Sequence, residues 1–274
     1  MSTNRHKITR FKAFAIHIGI SSAIFLCLLV LLLGYWYKTP FFDLEDGPRA
    51  IQIILFVDLV LGPLLTLVIF KPGKPGLKFD LSLIAIFQLS ALIYGIWMVQ
   101  LARPVAVIHA YDSLYIVSKN TIINSDIPEP VANKIIGLEP TYLYVNLPKE
   151  QESFNAIIAS SFREKRPIQL LYKYYEPLKL TDVEKLSAIA IDIRKYTAKN
   201  EEWSAKLDAF LKRHKRSLDN TLLFAPVRAR RGPYFLVIDT AKGEVIDYLE
   251  VPYIPGMGIE ARVVPHDKLL SNLP

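Results

Sequence analysis

The segment Phe14–Tyr37 reads FAIHIGISSAIFLCLLVLLLGYWY and contains no Asp, Glu, Lys or Arg. Two more apolar stretches follow, Ala50–Phe70 (AIQIILFVDLVLGPLLTLVIF) and Leu81–Leu101 (LSLIAIFQLSALIYGIWMVQL), and Asp58 is the sole charged residue in either. A helix needs about 20 apolar residues to cross about 30 Å of hydrocarbon. The sequence therefore predicts a membrane protein. Residues 1–102 form a three-transmembrane-helix anchor, with helices over 14–37, 50–70 and 81–101, and 103–274 form a mixed α+β extracytoplasmic domain. The chain has 274 residues, 51% of them hydrophobic, and the apolar excess sits in the first third. The first stretch is too long for a signal peptide, and Gly34–Lys38 offers no small-x-small cleavage site, so it is read as retained.

The formal net charge of +7 would suggest nucleic acid if it were not so unevenly distributed. Arg5, Lys7, Arg10 and Lys12 give the N-terminal tail +4. The 71–80 loop holds three lysines, whereas in the 38–49 loop Lys38 and Arg49 face Asp43, Glu45 and Asp46. The outer domain has 24 basic and 21 acidic residues, too even a balance for general phosphate-backbone binding, so no nucleic-acid partner is expected. Cytoplasmic loops collect Lys and Arg. The tail and the 71–80 loop are placed inside, and the 38–49 loop and the large domain outside. Tyr35-Trp36-Tyr37, Phe41-Phe42 and Trp97 suit the aromatic belt at the membrane interface. Cys27 is the only cysteine, which excludes an intrachain disulfide and a cysteine-based metal site.

In the outer domain the patterning predicts strands at Val105–His109, Leu114–Val117 and Thr141–Asn146, and an aromatic extended run at Ile168–Tyr175. Glu152–Phe162 is expected to be a helix with Phe154, Ile157, Ile158 and Phe162 on one side. Thr181-Asp182-Val183-Glu184 reads as a capping box opening a helix that buries Val183, Leu186, Ile189 or Ala190, Ile193 and Tyr196. Glu201–Lys215 is a further helix. Strands Thr221–Ala229, Tyr234–Asp239 and Glu244–Val251 end the chain, the last two joined at Lys242-Gly243.

Catalytic machinery is not visible. The histidines, His6, His17, His109, His214 and His266, show no metal-ligand spacing, and no nucleophile-elbow, phosphate-loop or dinucleotide motif occurs. No cofactor is expected, and the chain is read as not an enzyme. Two groups are candidate partner contacts. Arg228, Arg230 and Arg231 surround a Gly-Pro turn and could meet an acidic partner, although a solvated hairpin tip is the plainer reading. Tyr172, Tyr174 and Tyr175 could anchor an interface or pack on their own helices. The Lys212–Arg216 run reads as a solvated helix end.

The intramembrane polar residues say more. Asp58 lies about 8 residues into the second helix, roughly 12 Å deep at 1.5 Å per residue. An ionisable group at such depth is a candidate functional site unless it serves a helix–helix hydrogen bond. Tyr94 is expected level with it, where its hydroxyl could meet the carboxyl group. Gln88 lies somewhat deeper, and His17 and Thr66 sit near the inner surface. Gly62-Pro63 would kink the helix and free backbone groups.

These residues also carry a likeness. Phe11-Lys12-Ala13-Phe14 with His17, Asp58-Leu59-Val60-Leu61-Gly62-Pro63-Leu64-Leu65-Thr66, Lys78-Phe79-Asp80 with Gln88 and Tyr94-Gly95, and Ala102-Arg103-Pro104 resemble the type IV pilin accessory protein family (TfpX/TfpZ type) over about residues 8–118. The resemblance implies a bacterial inner-membrane protein that helps the pilus machine handle its major pilin. That pilin would be the partner, along with membrane lipid and, as a further expectation, inner-membrane pilus assembly proteins. It implies no reaction. Two rivals stand beside it: a membrane-anchored sensor with a ligand-binding outer domain, and a membrane enzyme acting on lipid or cell-wall substrates. The tail and the ten-residue inner loop are too short for a sensor's output domain.

The charge distribution sets a test of topology. A reporter active only outside the cytoplasm, fused after Pro274, is expected to be active, and activity of a cytoplasm-only reporter there would reverse the assignment.

Overall fold

Thr9 starts the first long helix, its hydroxyl accepting the Lys12 N–H at 3.3 Å. The computed structural model describes residues 9–37 and 40–261, without the side chains of Ile259 and Glu260. Arg5, Lys7 and Lys38 of the charge count, His6 and His266, and the charges beyond Ala261 lie outside the described residues.

Two compact units emerge. The first contains three helices long and apolar enough to cross a membrane, Arg10–Trp36, Gly47–Ile69 and Leu77–Ala102. The first is α1 (Arg10–Leu31) prolonged by a π-helical turn, Leu32–Trp36. The second is α3 (Gly47–Leu55), a π-helical segment (Phe56–Leu61) and α4 (Gly62–Ile69). Pro63 has no N–H for the carbonyl four residues back, and its ring crowds that carbonyl; the wider turn just before it accommodates both. The disturbance expected at Gly62-Pro63 thus takes π-helical form. The third is α5 (Leu77–Ala102). Ser21, Phe25, Leu28 and Leu32, spaced four, three and four apart, form the buried stripe of the first helix. Ile84 and Val99 mark the buried side of α5.

The aromatic belt needs correction. Tyr35 and Trp97 are exposed, but Tyr37 is buried with its hydroxyl donating to the Val99 carbonyl at 3.0 Å. Phe41 is buried as well, in the other unit.

The second unit is built on a seven-stranded mixed sheet, in the order β4-β3-β1-β2-β5-β6-β7. Its strands are β1 (Pro104–Ala110), β2 (Ser113–Ser118), β3 (Thr141–Val145), β4 (Tyr175–Pro177), β5 (Leu222–Ala229), β6 (Gly232–Asp239) and β7 (Glu244–Leu249). β1 pairs parallel with β3 and β2 with β5, while the other neighbours are antiparallel. Side chains alternate across a strand, so each strand feeds both faces. One face carries Val107, Leu114, Leu223, Ala225, Val227, Leu236 and Ile238. The other carries Ile108, Val117, Leu143 and Val145 at one end, and Phe224, Phe235 and Val237 at the other. Helices α6 (Lys119–Ile123) and α7 (Glu129–Ile135) cover the first end through Ile122, Ala132 and Ile135. Helices α10 (Ile193–Thr197) and α11 (Glu201–His214) cover the second through Ile193, Tyr196, Leu207 and Phe210.

The predicted strands and the Glu201 helix are found with small shifts, and other elements differ. Ile168–Tyr174 is not extended: it makes two 3-10 turns, and only Tyr175–Pro177 is strand. Leu170 and Leu171 both pack into the same core cluster, whereas adjacent residues of one strand would point to opposite faces. α8 (Gln151–Arg163) buries Ser161, leaving Phe162 81% exposed. The single helix expected from Thr181 is two short ones, α9 (Val183–Ser187) and α10. Asp182, not Thr181, caps α9, and Asp192 caps α10. Between them the Ile191 N–H donates to Phe224 and the Asp192 N–H to Ala261, drawing the backbone out of helix. Val183 is left half exposed. The Lys212–Arg216 run is not simply solvated: Arg213 and His214 meet Asp247 at 3.0 and 2.9 Å, and Arg216 meets Asp239.

His109, on β1, is almost fully buried against Tyr144, with ring centroids 5.0 Å apart. Burial holds its pKa down at about 4, against partial support from the Tyr111 backbone and Asp112.

One contribution to the sheet comes from far away in sequence. The one-turn helix α2 (Phe41–Leu44) belongs to the second unit, and Phe41 and Leu44 fill the same face as Val107 and Leu236. The packed unit therefore does not begin cleanly at residue 103. Leu44 is 0% exposed, so Leu44→Ala is expected to destabilise this unit by about 2–5 kcal/mol, the usual range for a fully buried leucine. Chemical denaturation monitored in the full chain measures it, and a loss below about 1 kcal/mol would show that the side chain is dispensable.

Candidate functional site

Asp58, Gly62 and Thr66 are spaced four residues apart and share one face of the second long helix. That face is turned inward: Asp58 is 7% and Thr66 4% exposed, and Gly62 and Pro63 are buried. Asp58 sits within the π-helical segment, a deformation common at functional sites.

Two other helices meet this stripe. From α1, His17 Nδ1 lies 2.6 Å from Thr66 Oγ1, a hydrogen bond whose donor depends on the ring tautomer. One turn further on, Ser21 is also buried. His17 also lies within electrostatic range of Asp58. From α5, the Gln88 side-chain amide lies directly over Gly62: a Cβ built there would stand 1.7 Å from Gln88 Nε2 and 2.4 Å from Cδ. Gly62 is thus glycine so that a side-chain amide can lie against the backbone. An aspartate, a histidine, a threonine and a glutamine from three helices meet along one seam of an otherwise apolar bundle.

Four of the five expected intramembrane residues, His17, Asp58, Thr66 and Gln88, come together. Tyr94 does not. It is 61% exposed and packs its ring near Trp97, with centroids 5.9 Å apart. Its neighbour Gly95 faces the second helix, where a Cβ would meet Ile54 at 3.4 Å. Counting residues along a hairpin gives depth but not rotation, and six residues at 100° each turn Tyr94 about 120° away from Gln88. Ser21 is a seam residue that the 17–21 spacing signals, and Gly62, expected as a kink, is also the seat of Gln88.

The outer candidates are engaged within the chain. Arg228 donates to Ser113 Oγ at 3.3 Å and Asp112 at 3.4 Å, with its guanidinium 5.7 Å from the Tyr115 ring centroid. Arg231 donates to Glu250 at 2.9 Å and to the Tyr248 hydroxyl at 3.1 Å. The Arg230 backbone N–H donates to Glu45 Oε1 at 3.2 Å, and its side chain is at the surface. Tyr172, Tyr174 and Tyr175 pack half-buried beside Ile108 and Leu143. The Tyr175 hydroxyl donates to the Gln169 carbonyl at 2.6 Å, and burial pushes its pKa up. These tyrosines hold the sheet's covering segments in place.

An apolar three-helix bundle with a polar seam, followed by a mixed-sheet unit, defines the class. The chain belongs to the fimbrial assembly protein family. It is 37% identical over 121 residues to a fimbrial assembly protein, serogroups C1 and C2, of Dichelobacter nodosus, covering 92% of that protein and 43% of this chain. It is 38% and 36% identical to the serogroup E1 and serogroup I fimbrial assembly proteins of the same organism, again over 121 residues. There the match spans 47% of each relative, about half of its length. No protein-family model and no solved structure matches the chain.

The seat of Gln88 on Gly62 gives a direct test. Gly62→Ala displaces the amide, the mobile end of a side chain that can swing aside, and is expected to destabilise the bundle by at most about 1 kcal/mol. Gly19→Ala, which meets nothing within 4 Å, is expected to be neutral or to gain up to about 1 kcal/mol of helix propensity. Unfolding in detergent compares the two, and Gln88→Ala should relieve the Gly62→Ala defect. Equal effects of the two alanines would remove the seam as a packing constraint.

Proposed function

We propose that this protein is a non-enzymatic inner-membrane accessory factor of the TfpX/TfpZ type, chaperone-like, that assists the assembly and disassembly of type IV pilins. The three long helices span the membrane with the N-terminus in the cytoplasm, and the sheet unit is periplasmic. The observation that carries the reading is the 37% identity to a protein named for fimbrial assembly, 92% of whose length this chain covers. The three apolar helices support the location.

The proposed client is the major pilin. A client with an apolar helix in the bilayer and a globular head outside can be held at two points by a helper that has both a bundle and an outer unit. Each contact raises the effective concentration of the other, so both can be weak and the client can be released. The seam is assigned a structural part in this scheme. His17 meets Thr66, and Asp58 and Gln88 lie along the same seam, which leaves the apolar outer surfaces of the bundle for lipid and for a client helix.

A clean deletion is expected to lower the number of surface pili while leaving pilin synthesis intact. Counting pili by electron microscopy and measuring total pilin by immunoblot checks it. Normal piliation and twitching with the cognate pilin present would overturn the proposal.

A further inference from the structure

Phe41–Glu45 lies between two long apolar helices in sequence, yet its side chains are part of the outer sheet unit. Phe41 is 3% and Leu44 0% exposed, packed on a face formed by β1, β2, β5 and β6. The turn between β5 and β6 grips the end of the segment at two points. The Arg231 N–H donates to the Leu44 carbonyl at 3.0 Å, and the Arg230 N–H to Glu45 Oε1 at 3.2 Å. Glu45 itself is 8% exposed, an unusual burial for a carboxylic acid. An apolar pair seated in a groove is ordinary core. A carboxyl group buried beside it, held among the described residues by one neutral donor, the Arg230 N–H, is not, because its charged form would be poorly solvated there.

We propose that Phe41–Glu45 is a strap whose seating on the outer unit is governed by the protonation of Glu45: neutral Glu45 holds it down and ionised Glu45 loosens it. Arg230 and Arg231 lie on the gripping turn, Asp43 on the strap itself, and Tyr248 and Glu250 near the end of β7. Arg231 is already engaged by Glu250 and Tyr248. Desolvation therefore outweighs the attraction of Arg230 and its backbone N–H, and raises the Glu45 pKa to about 7.

The sign follows from linkage. The seated strap keeps a proton that the released strap, with an ordinary carboxylate value near 4.5, gives up. Seating is firmest below the ordinary value, weakens as pH rises from there to about 7, and is level above. His109 acts in the opposite sense. Its pKa of about 4, below the ordinary 6.5, makes the folded unit lose stability as pH falls through that interval. The two contributions therefore have opposite slopes and can be told apart.

Hydrogen exchange of the full chain in lipid nanodiscs tests the strap. After correction for intrinsic rates, opening of the peptide covering residues 41–46 is expected to be on the order of tenfold greater at about pH 8 than at about pH 5.5. Glu45→Gln, neutral at both, should stay protected at both. Leu44→Ala should open more at both values and keep the wild-type direction of change. Protection of the wild-type strap that does not vary with pH would overturn the proposal, as would an undiminished pH dependence in a folded Glu45→Gln protein. If Glu45→Gln does not fold, the Leu44→Ala slope decides: a rise of opening with pH supports the strap, and a flat response sinks it.

Discussion

A polar group set among hydrocarbon side chains costs several kcal/mol unless a partner within reach offsets the lost water. That constraint organises both units of this chain. In the bundle it gathers His17, Asp58, Thr66 and Gln88 onto one seam, where His17 meets Thr66 and the Gln88 amide lies against the Gly62 backbone. Gly62 contributes by having no side chain, which lets the Gln88 amide reach the neighbouring helix backbone. Pro63 frees a carbonyl, and the π-helical turn just before it re-spaces the ladder around Asp58. The helices are otherwise almost uniformly apolar, and lipid solvates such surfaces as well as another helix does. Packing and hydrogen bonds along the seam therefore decide which faces meet.

The outer unit meets the same constraint with a sheet. Its strands feed two faces, and each needs a cover. Short helices and 3-10 turns local in sequence close one face. The other is completed in part by Phe41 and Leu44, which precede β1 by about 60 residues of chain in sequence. That long-range closure makes the folding of the sheet unit depend on a segment flanked by the first two long helices. Glu45, at the end of the segment, is where an apolar anchor becomes sensitive to pH.

Several arginines on the surface of the outer unit are paired within the chain. Arg228, Arg231, Arg213 and Arg216 each reach an acidic side chain on a strand or an adjoining loop. Such pairs contribute little individually when exposed, though they fix the turn between β5 and β6 and the end of α11 against the sheet. A basic run in a sequence is therefore a poor guide to a partner surface here, since the acids that answer it are up to 116 residues away.

The sequence alone determined the three apolar helices, the nearly balanced charge of the outer part, most of its strands and the identity of the polar residues in the bundle. Those properties follow from local composition and from periods of 3.6 and 2, which any window of the chain displays. Tertiary structure decided the rest. Tyr94 faces outward and Gly95 inward because helix rotation is set by packing, not by depth. Ile168–Tyr174 turns instead of extending, which lets adjacent Leu170 and Leu171 enter the same core cluster. The helix expected from Thr181 divides because Ile191 and Asp192 are claimed by Phe224 and Ala261. Phe41 leaves the expected aromatic belt and, with Leu44, joins a sheet face that exists only once strands distant in sequence have paired. No local pattern carries that information, because the groove that receives them is assembled from the other end of the chain.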